Sequence, residues 1–386
     1  MRVGKGKTVL VRGRINVKGD AEVLGYRVEE YSFESRKYTP IFCREECEIG
    51  VDGDYTIVEK DTIPHTWKKL VEEDWDTLFI YGGTDKGKST LAAFLVNKIC
   101  DCYVLDLDIG QSDIAHPAAM GYGYSEGGIT ALSDIKMVNG FFVGVLSPTG
   151  REARCLRGVE KLWRELRKNS GRKVVDTTGW IRGKRAREYK LAKIEIIQPD
   201  VIASFEGKPH FLEDYEVFEV EKGCVVERDR WERVKARIES YKSWLESAEI
   251  VEVKLSDVKL ENTNFMRGKK IAKDFIQDIL EREVVFVERG DDFLNICTAE
   301  RVSVSPDIIK ALKELYNVCD ICIFSTNDFV DLMIGLYGEK YLGFGLIKEI
   351  SEDKISILTS VKGRIKRIEL GEIKFDGEKE YIVNIP

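Results

Sequence analysis

Residues 82–89 read GGTDKGKS, which fits the pattern G-x-x-x-x-G-K-[ST]. No other stretch constrains the fold as much, because such a loop needs a buried strand before it and a helix after it. Both flanks are present: the apolar run LFIY precedes it, and STLAAFLVNKIC has helical character. Gly82, Gly83 and Gly87 allow backbone angles that turn several N–H groups inward around an anion. The helix N-terminus adds its positive dipole end at the same place. Thr84, Asp85 and Lys86 complete the loop. Lys88 is expected on the β- and γ-phosphates, and the Ser89 hydroxyl on Mg²⁺, an ion that keeps several waters and uses few protein ligands. Thr90 can reach an inner phosphate. The alternative is a chance match at a strand–helix turn, and the correct flanks argue against it.

The sequence around the loop alternates buried strands and helices. CYVLDLDIG, GFFVGVLS, KVVDTTGW and VIASF read as strands; GVEKLWRELRKN and GKRAREYKLAKIEII read as helices. Such alternation predicts an α/β unit: a P-loop NTPase-type parallel sheet with helices on both faces. Ligands of such sheets lie beyond the carboxyl ends of the strands, so the chemistry is expected just after Tyr81, Leu107, Leu146 and Asp176.

The 386 residues suit two or three domains. Residues 1–75 alternate apolar and polar positions between glycines and predict a small β-rich domain. The P-loop unit is expected over 76–248. Residues 249–386 are expected to form an α+β domain ending in a β-rich, barrel-like sheet.

In CYVLDLDIGQ, Asp106 and Asp108 alternate with apolar residues and so share one side of the strand. A carboxylate there can hold Mg²⁺, orient an acceptor hydroxyl and take its proton late in transfer. Asp108 is expected to be catalytic and a metal ligand. Asp106 reads equally as a structural strand-end residue. Gln111 can hold a water or a phosphate oxygen.

The stretches GGTDKGKST and DLDIGQSDIAHP together resemble the polynucleotide 5′-hydroxyl kinase family, which includes an RNA kinase subunit of the pre-mRNA cleavage machinery, a ribosomal-RNA processing kinase and simpler archaeal kinases. The resemblance covers most of the chain. It implies a clasp, Thr-x-Gly-Trp, at Thr177, Gly179 and Trp180, placed to bind the substrate end. It also implies a lid in VVERDRWERVKARIESY, with Arg233 and Arg237 as its arginine pair. By that resemblance the chain moves the γ-phosphate of ATP, with Mg²⁺, onto the 5′-hydroxyl of RNA or DNA, with RNA-processing proteins as partners.

The residues make chemical sense beside the resemblance. Arg233 and Arg237 lie one helical turn apart and point the same way. Planar guanidiniums can clamp a transferring phosphoryl group; otherwise they are a solvated helix face. Trp180 beside Arg182 and Arg185 offers a terminal base a flat surface, or else packs at a strand end.

Net charge is -7, yet residues 151–193 carry fifteen basic side chains against five acidic ones. That local field attracts polyanions, although solvated helix faces would read the same way. No apolar run approaches the ~20 residues of a membrane span, and the N-terminus has no signal-peptide core. Nine unpatterned cysteines predict a reducing compartment, cytoplasmic, or nuclear in a eukaryote. Cys319 and Cys322 form a CxxC inside a strand-like run, read as core rather than zinc. His65, His116 and His210 lack ligand or triad spacing and read as structural. Two rival functions stay open: an NTP hydrolase whose acceptor is water, and a nucleotide-bound scaffold of RNA processing without turnover.

Overall fold

In the computed structural model, which describes residues 1–223, 229–351 and 353–383 apart from the side chain of Arg36, alternating apolar residues fold the start of the chain into an antiparallel sheet. Its strands are β1 (Arg2–Val3), β2 (Thr8–Val23), β3 (Tyr26–Cys43) and β4 (Cys47–Val58), in the order β1-β4-β2-β3. Val9, Val11, Ile15, Val17, Ile41 and Ile49 form its buried face. Helix α1 (His65–Glu72) follows and buries Trp67 and Leu70.

The second sheet carries the P-loop. Its elements are β5 (Thr77–Tyr81), α2 (Lys88–Ile99), β6 (Cys102–Leu107), β7 (Ala119–Ser125), β8 (Met137–Phe142), α3 (Glu152–Leu166), β9 (Arg172–Thr177), α4 (Lys184–Ile197), β10 (Val201–Ser204) and β11 (Val217–Glu219). The strand order is β11-β10-β5-β9-β6-β7-β8. Every residue of β5 is buried, as an interior parallel strand requires. Leu78 and Ile80 face α1 and α2, whereas Phe79 and Tyr81 face α3 and α4. Helices therefore cover both faces.

Two details differ from the sequence expectation. The sheet is mixed: β7 runs antiparallel to both β6 and β8. The strand expected at GFFVGVLS is β8, which starts earlier and stops at Phe142; Gly144 then turns the chain with a φ of 76°. β7 escaped notice because Gly121 and Gly123 dilute its pattern. A Cβ on Gly123 would lie 2.5 Å from Ile135 Cγ2, so close packing accounts for the glycine.

The chain forms two compact units, Met1–Arg237 and Ile238–Pro386, and helix α5 (Arg230–Trp244) contains the division. Within the first unit, the N-terminal sheet is tied to the P-loop sheet. The Asn97 side chain donates to Leu24 O (3.0 Å) and Ile129 O (2.8 Å), and Lys37 Nζ donates to both Asp113 oxygens at 2.6 and 2.7 Å.

The second unit comprises β12 (Glu249–Lys254), β13 (Lys259–Glu261), β14 (Lys269–Ile271), α6 (Asp274–Leu280), β15 (Val284–Arg289), β16 (Phe293–Thr298), α7 (Pro306–Tyr316), β17 (Asp320–Ser325), β18 (Leu332–Tyr337), β19 (Tyr341–Ile350), β20 (Lys354–Thr359), β21 (Arg367–Phe375) and β22 (Glu380–Ile382). One sheet runs β12-β20-β19-β18-β21-β13 with β22 also on β21; the other runs β14-β15-β16-β17. β17 holds Cys322 but is an edge strand, and Cys319 just before it is exposed.

Candidate nucleotide and phosphoryl-transfer site

The carboxyl ends of β5, β9 and β6 meet side by side. After β5 the loop 82–87 leads into α2, with Gly87 in the left-handed region (φ 97°) and Asp85 also at positive φ (54°), a conformation Asp tolerates better than most residues. Lys88, the first residue of α2, is buried and folds back so that Nζ donates to Gly83 O at 2.8 Å. A Cβ on Gly82 would meet Phe205 Cβ at 2.9 Å, so the loop lies close against the chain beyond β10.

The turn after β6 organises itself. Asp106 is buried, and its carboxylate accepts from the Asp108, Asp113 and Ile114 amides and from the Ser112 hydroxyl, at 2.7 to 3.2 Å. This is the structural role the sequence left open for it. Asp108 Oδ1 accepts from the Gly110 amide (3.0 Å) and the Gln111 amide (3.2 Å). The Gln111 side-chain amide donates to Gly110 O at 2.8 Å and to Arg233 O at 3.3 Å. Arg233 Nη1 in turn donates to Asp85 Oδ2 at 2.9 Å. Arg233 therefore ties the P-loop to the Asp108 turn. Arg237 lies half-buried one turn further along α5; residues 225–228 of the expected lid lie outside the described residues.

The end of β9 is built from distant partners. Asp106 and Asp176 are register partners on neighbouring strands. Asp176 is buried, and its Oδ2 accepts the Ser89 hydroxyl at 2.6 Å. Burial raises the pKa of both carboxyls; the facing Asp176 adds to the rise at Asp106, while Lys88 and the Ser89 hydroxyl pull Asp176 back. Thr177 is buried, with its hydroxyl donating to Ile80 O and accepting from Lys190 Nζ, both at 2.8 Å. Lys190 also donates to Thr178 O at 2.5 Å. Burial holds its ammonium pKa well below the usual lysine range, with Lys193 and Lys88 adding repulsion. Gly179 lies so near the P-loop that a Cβ would sit 2.3 Å from Thr84 Oγ1 and 2.6 Å from Thr84 N. Half-buried Trp180 packs with its ring 5.8 Å from that of Tyr189.

Sequence reasoning did not find the roles of Asp176, Lys190 or Glu206. Glu206 Oε1 accepts the Gly83 amide at 3.0 Å and lies 3.6 Å from Lys86 Nζ. Its position just past the buried strand VIASF, at the edge where ligands gather, was the available signal. His116 is fully buried, donates Nδ1–H to Pro117 O at 2.6 Å, and has its pKa lowered by burial to about 4. Chemically the site offers a cradle of amides with a lysine, oxygen donors on Ser89 and Asp176, a second carboxylate on Asp108, and guanidinium charge from α5.

Residues 82–252 match the family model described as mRNA cleavage and polyadenylation factor CLP1 P-loop. A polyribonucleotide 5′-hydroxyl-kinase of Pyrococcus furiosus is 30% identical over 324 residues, covering 78% of this chain and 89% of that protein. One of Methanocaldococcus jannaschii is 27% identical over 330 residues, covering 78% and 88%. The solved complex of wild-type Clp1p with Pcf11p contains a chain of similar fold, with a TM-score of 0.62 at 15% identity, covering 97% of both chains.

Proposed function

The chain belongs to the polyribonucleotide 5′-hydroxyl-kinase family, and we infer that it transfers the γ-phosphoryl group of ATP to the 5′-hydroxyl end of RNA. The observation that carries this reading is the Arg233 bridge. A single residue bonds the P-loop through Asp85 and the Asp108 turn through Gln111, so donor and acceptor machinery share one support.

In the proposed reaction the Gly82–Thr90 loop grips the triphosphate. Lys88 leaves the Gly83 carbonyl for the β- and γ-phosphates. Asp108 orients the 5′-hydroxyl. Its oxygen forms the new bond to the γ-phosphorus in line with the breaking bond to the β–γ bridging oxygen; ADP leaves, and Asp108 takes the hydroxyl proton. Gln111 orients a phosphate oxygen or water. Arg233 and Arg237 neutralise charge on the transferring group, and enclosure by α5 would limit water as a competing acceptor. Trp180 supplies a face for the terminal base, while Thr177 and Gly179 hold the clasp against the P-loop.

The donor set suits Mg²⁺. The Ser89 hydroxyl and nearby carboxylates are hard oxygen ligands, and among the described residues no cage of three or more acidic, His or Cys side chains is present. Phosphate and water oxygens would therefore complete the shell. When bound, the ion would neutralise charge across the β- and γ-phosphates. From sequence, Ser89 and Asp108 were its expected ligands.

The relative's kinase name supports RNA as acceptor, with DNA a further candidate. The Clp1p–Pcf11p complex supports the proposal of an RNA-processing protein partner. The test is incubation with γ-labelled ATP and four 5′-hydroxyl oligonucleotides, RNA or DNA, each single- or double-stranded. Label on RNA 5′-ends is expected. Free phosphate alone would favour the hydrolase, and intact ATP surviving with RNA would favour the scaffold.

A further inference from the structure

We propose that helix α3 carries the acceptor strand away from the site. The phosphates 3′ of the terminal nucleotide lie along a stripe of basic side chains on its outer face: Arg154, Arg157, Lys161, Arg164 and Lys168. The inference rests on the proposed polynucleotide acceptor and deepens it, since it assigns the part of that chain beyond the reacting end.

The structure divides the basic run seen in the sequence. Lys190 and Lys193 are buried on α4. Lys173 donates to Gly171 O at 2.7 Å, and Arg172 lies over the Trp75 ring at 4.7 Å. Both belong to the start of β9, the end of the strand away from Thr177. What stays together is α3, where residues 151–168 hold seven basic and three acidic side chains. Positions 154, 157, 161, 164 and 168 recur every three or four residues, so they share one face and extend over about 21 Å. Cys155, Val159, Leu162 and Leu166 bury the other side of the helix.

The stripe starts beside the site. A Cβ on Gly110, in the Asp108 turn, would lie 3.1 Å from Leu146 O, shortly before α3. Glu152 in the first turn of α3 accepts from Arg185 Nη2 at 2.6 Å, and Arg185 stands just past the clasp. From there α3 leads back to the start of β9 and so away from the reacting hydroxyl. The cations nearest the site are also held in place. Arg154 Nη1 donates to Val143 O at 2.9 Å, and Arg157 and Lys161 lie over the buried Phe141 ring at 5.8 and 5.7 Å. Side chains ordered in advance lose less freedom on meeting phosphates. The nearby acids compete weakly. Glu165 accepts from Tyr122 Oη and Asn139 Nδ2, both at 2.7 Å. Glu160 pairs with Arg164 at 3.6 Å, an exposed contact that water screens. The stripe holds no aromatic side chain, so it reads backbone charge and not base sequence.

The experiment uses the full chain and single-stranded 5′-hydroxyl RNA of two lengths, about 3 and about 15 nucleotides. Arg157→Gln/Lys161→Gln is expected to raise KM for the longer RNA about 5- to 20-fold, with kcat and the KM of the shorter within about twofold. Two lost phosphate contacts should also flatten the log–log dependence of affinity on salt by about 1.4, at about 0.7 per contact for a single strand. Arg164→Gln/Lys168→Gln leaves the cations over Phe141 in place and should act alike, so a packing defect at that ring cannot imitate the result. Lys5→Gln/Lys18→Gln removes the same charge from exposed pairs of the N-terminal sheet and should change neither quantity. The proposal is overturned if a folded stripe variant keeps the long-RNA KM and salt slope, if both lengths weaken equally, or if the N-terminal pair matters as much. Failure of the kinase reading shows separately, as no label on either RNA from the unaltered protein. The same variants are then read by fluorescence anisotropy of the longer RNA beside a non-hydrolysable ATP analogue, and an unchanged salt slope again overturns the stripe.

Discussion

The neighbouring strands β6 and β9 end one beside the other, with Asp106 and Asp176 in register, yet the two ends are assembled in opposite ways. Beyond β6 the chain organises itself: Asp106 and Asp108 accept the amides of residues only two to eight positions on. Beyond β9 nearly every contact is distant: Ser89 on Asp176, Ile80 and Lys190 on Thr177, Thr84 against Gly179. The first end is a preformed turn that presents a carboxylate. The second is a joint that couples the clasp to the P-loop. A local turn should tolerate change in the rest of the sheet, whereas the joint should transmit it.

The largest expected effect tests what the turn presents. Asp108→Asn keeps the shape and removes the proton acceptor, so transfer to a 5′-hydroxyl RNA should fall by about 10²–10⁴-fold. The expected loss is in kcat, with analogue affinity little changed. A variant that phosphorylates RNA at the unaltered rate would strip the β6 end of its function and leave the comparison without chemical meaning.

The next effect tests whether that turn carries its own stability, through His116. Its folded pKa of about 4 lies below the ordinary 6.5. The ring is neutral in both states above pH 6.5; as pH falls toward 4 the unfolded chain takes up a proton that the folded chain refuses. The stability lost across that window is about 3 kcal/mol. Urea melts at pH 7 and pH 4 should show the unaltered protein losing about that much more than His116→Gln, which has no ring to protonate. Equal acid sensitivity in the two proteins would refute it.

The same contrast explains what was legible in the sequence. GGTDKGKS and DLDIGQ could be read because each works within one continuous segment, where strand, turn and helix chemistry are local. The parallel part of the sheet, β11-β10-β5-β9-β6, was legible because apolar runs alternate with helices; the antiparallel β7 was not. Glu206 on Gly83 could not be read, since 123 positions separate them and no pattern in either segment names the other. Lys190 looked like one more member of a basic run; only the fold shows it buried beneath Thr177. β7 was hidden for a packing reason: Gly123 is forced by Ile135 and Lys136, which come from the segment leading into β8, and no local pattern names that contact.

A smaller effect separates the two ends through their glycines. At Gly179 an added methyl group would strike P-loop backbone, Thr84 N at 2.6 Å and Cα at 2.7 Å. At Gly110 it would meet Leu146 O at 3.1 Å and Asp108 Oδ1 at 3.4 Å. Gly179→Ala should therefore cost about 1–3 kcal/mol, felt as weaker ATP binding in calorimetry, and Gly110→Ala distinctly less. If both weaken ATP equally, the β9 end has no special coupling to the P-loop.

The smallest effect asks whether the β6 turn leans on the N-terminal sheet at all. Among the described residues, the ion pair that joins it to that sheet is Lys37 with Asp113, 2.6 Å long, with side-chain exposures of 39% and 13%. Exposed pairs contribute little because water screens them and ordering a lysine costs entropy; the partly sheltered Asp113 places this one near the top of that range, at about 1 kcal/mol or less. Lys37→Met keeps much of the aliphatic stem and removes the charge, so any larger loss cannot come from the pair itself. The Asp113 amide still has Asp106 as its acceptor, which should hold the turn in place. Melting should therefore shift slightly while kcat on RNA stays unchanged. A drop in kcat beyond the change in stability would mean that the N-terminal sheet sets the position of Asp108, and the turn would then be no more self-sufficient than the joint beside it.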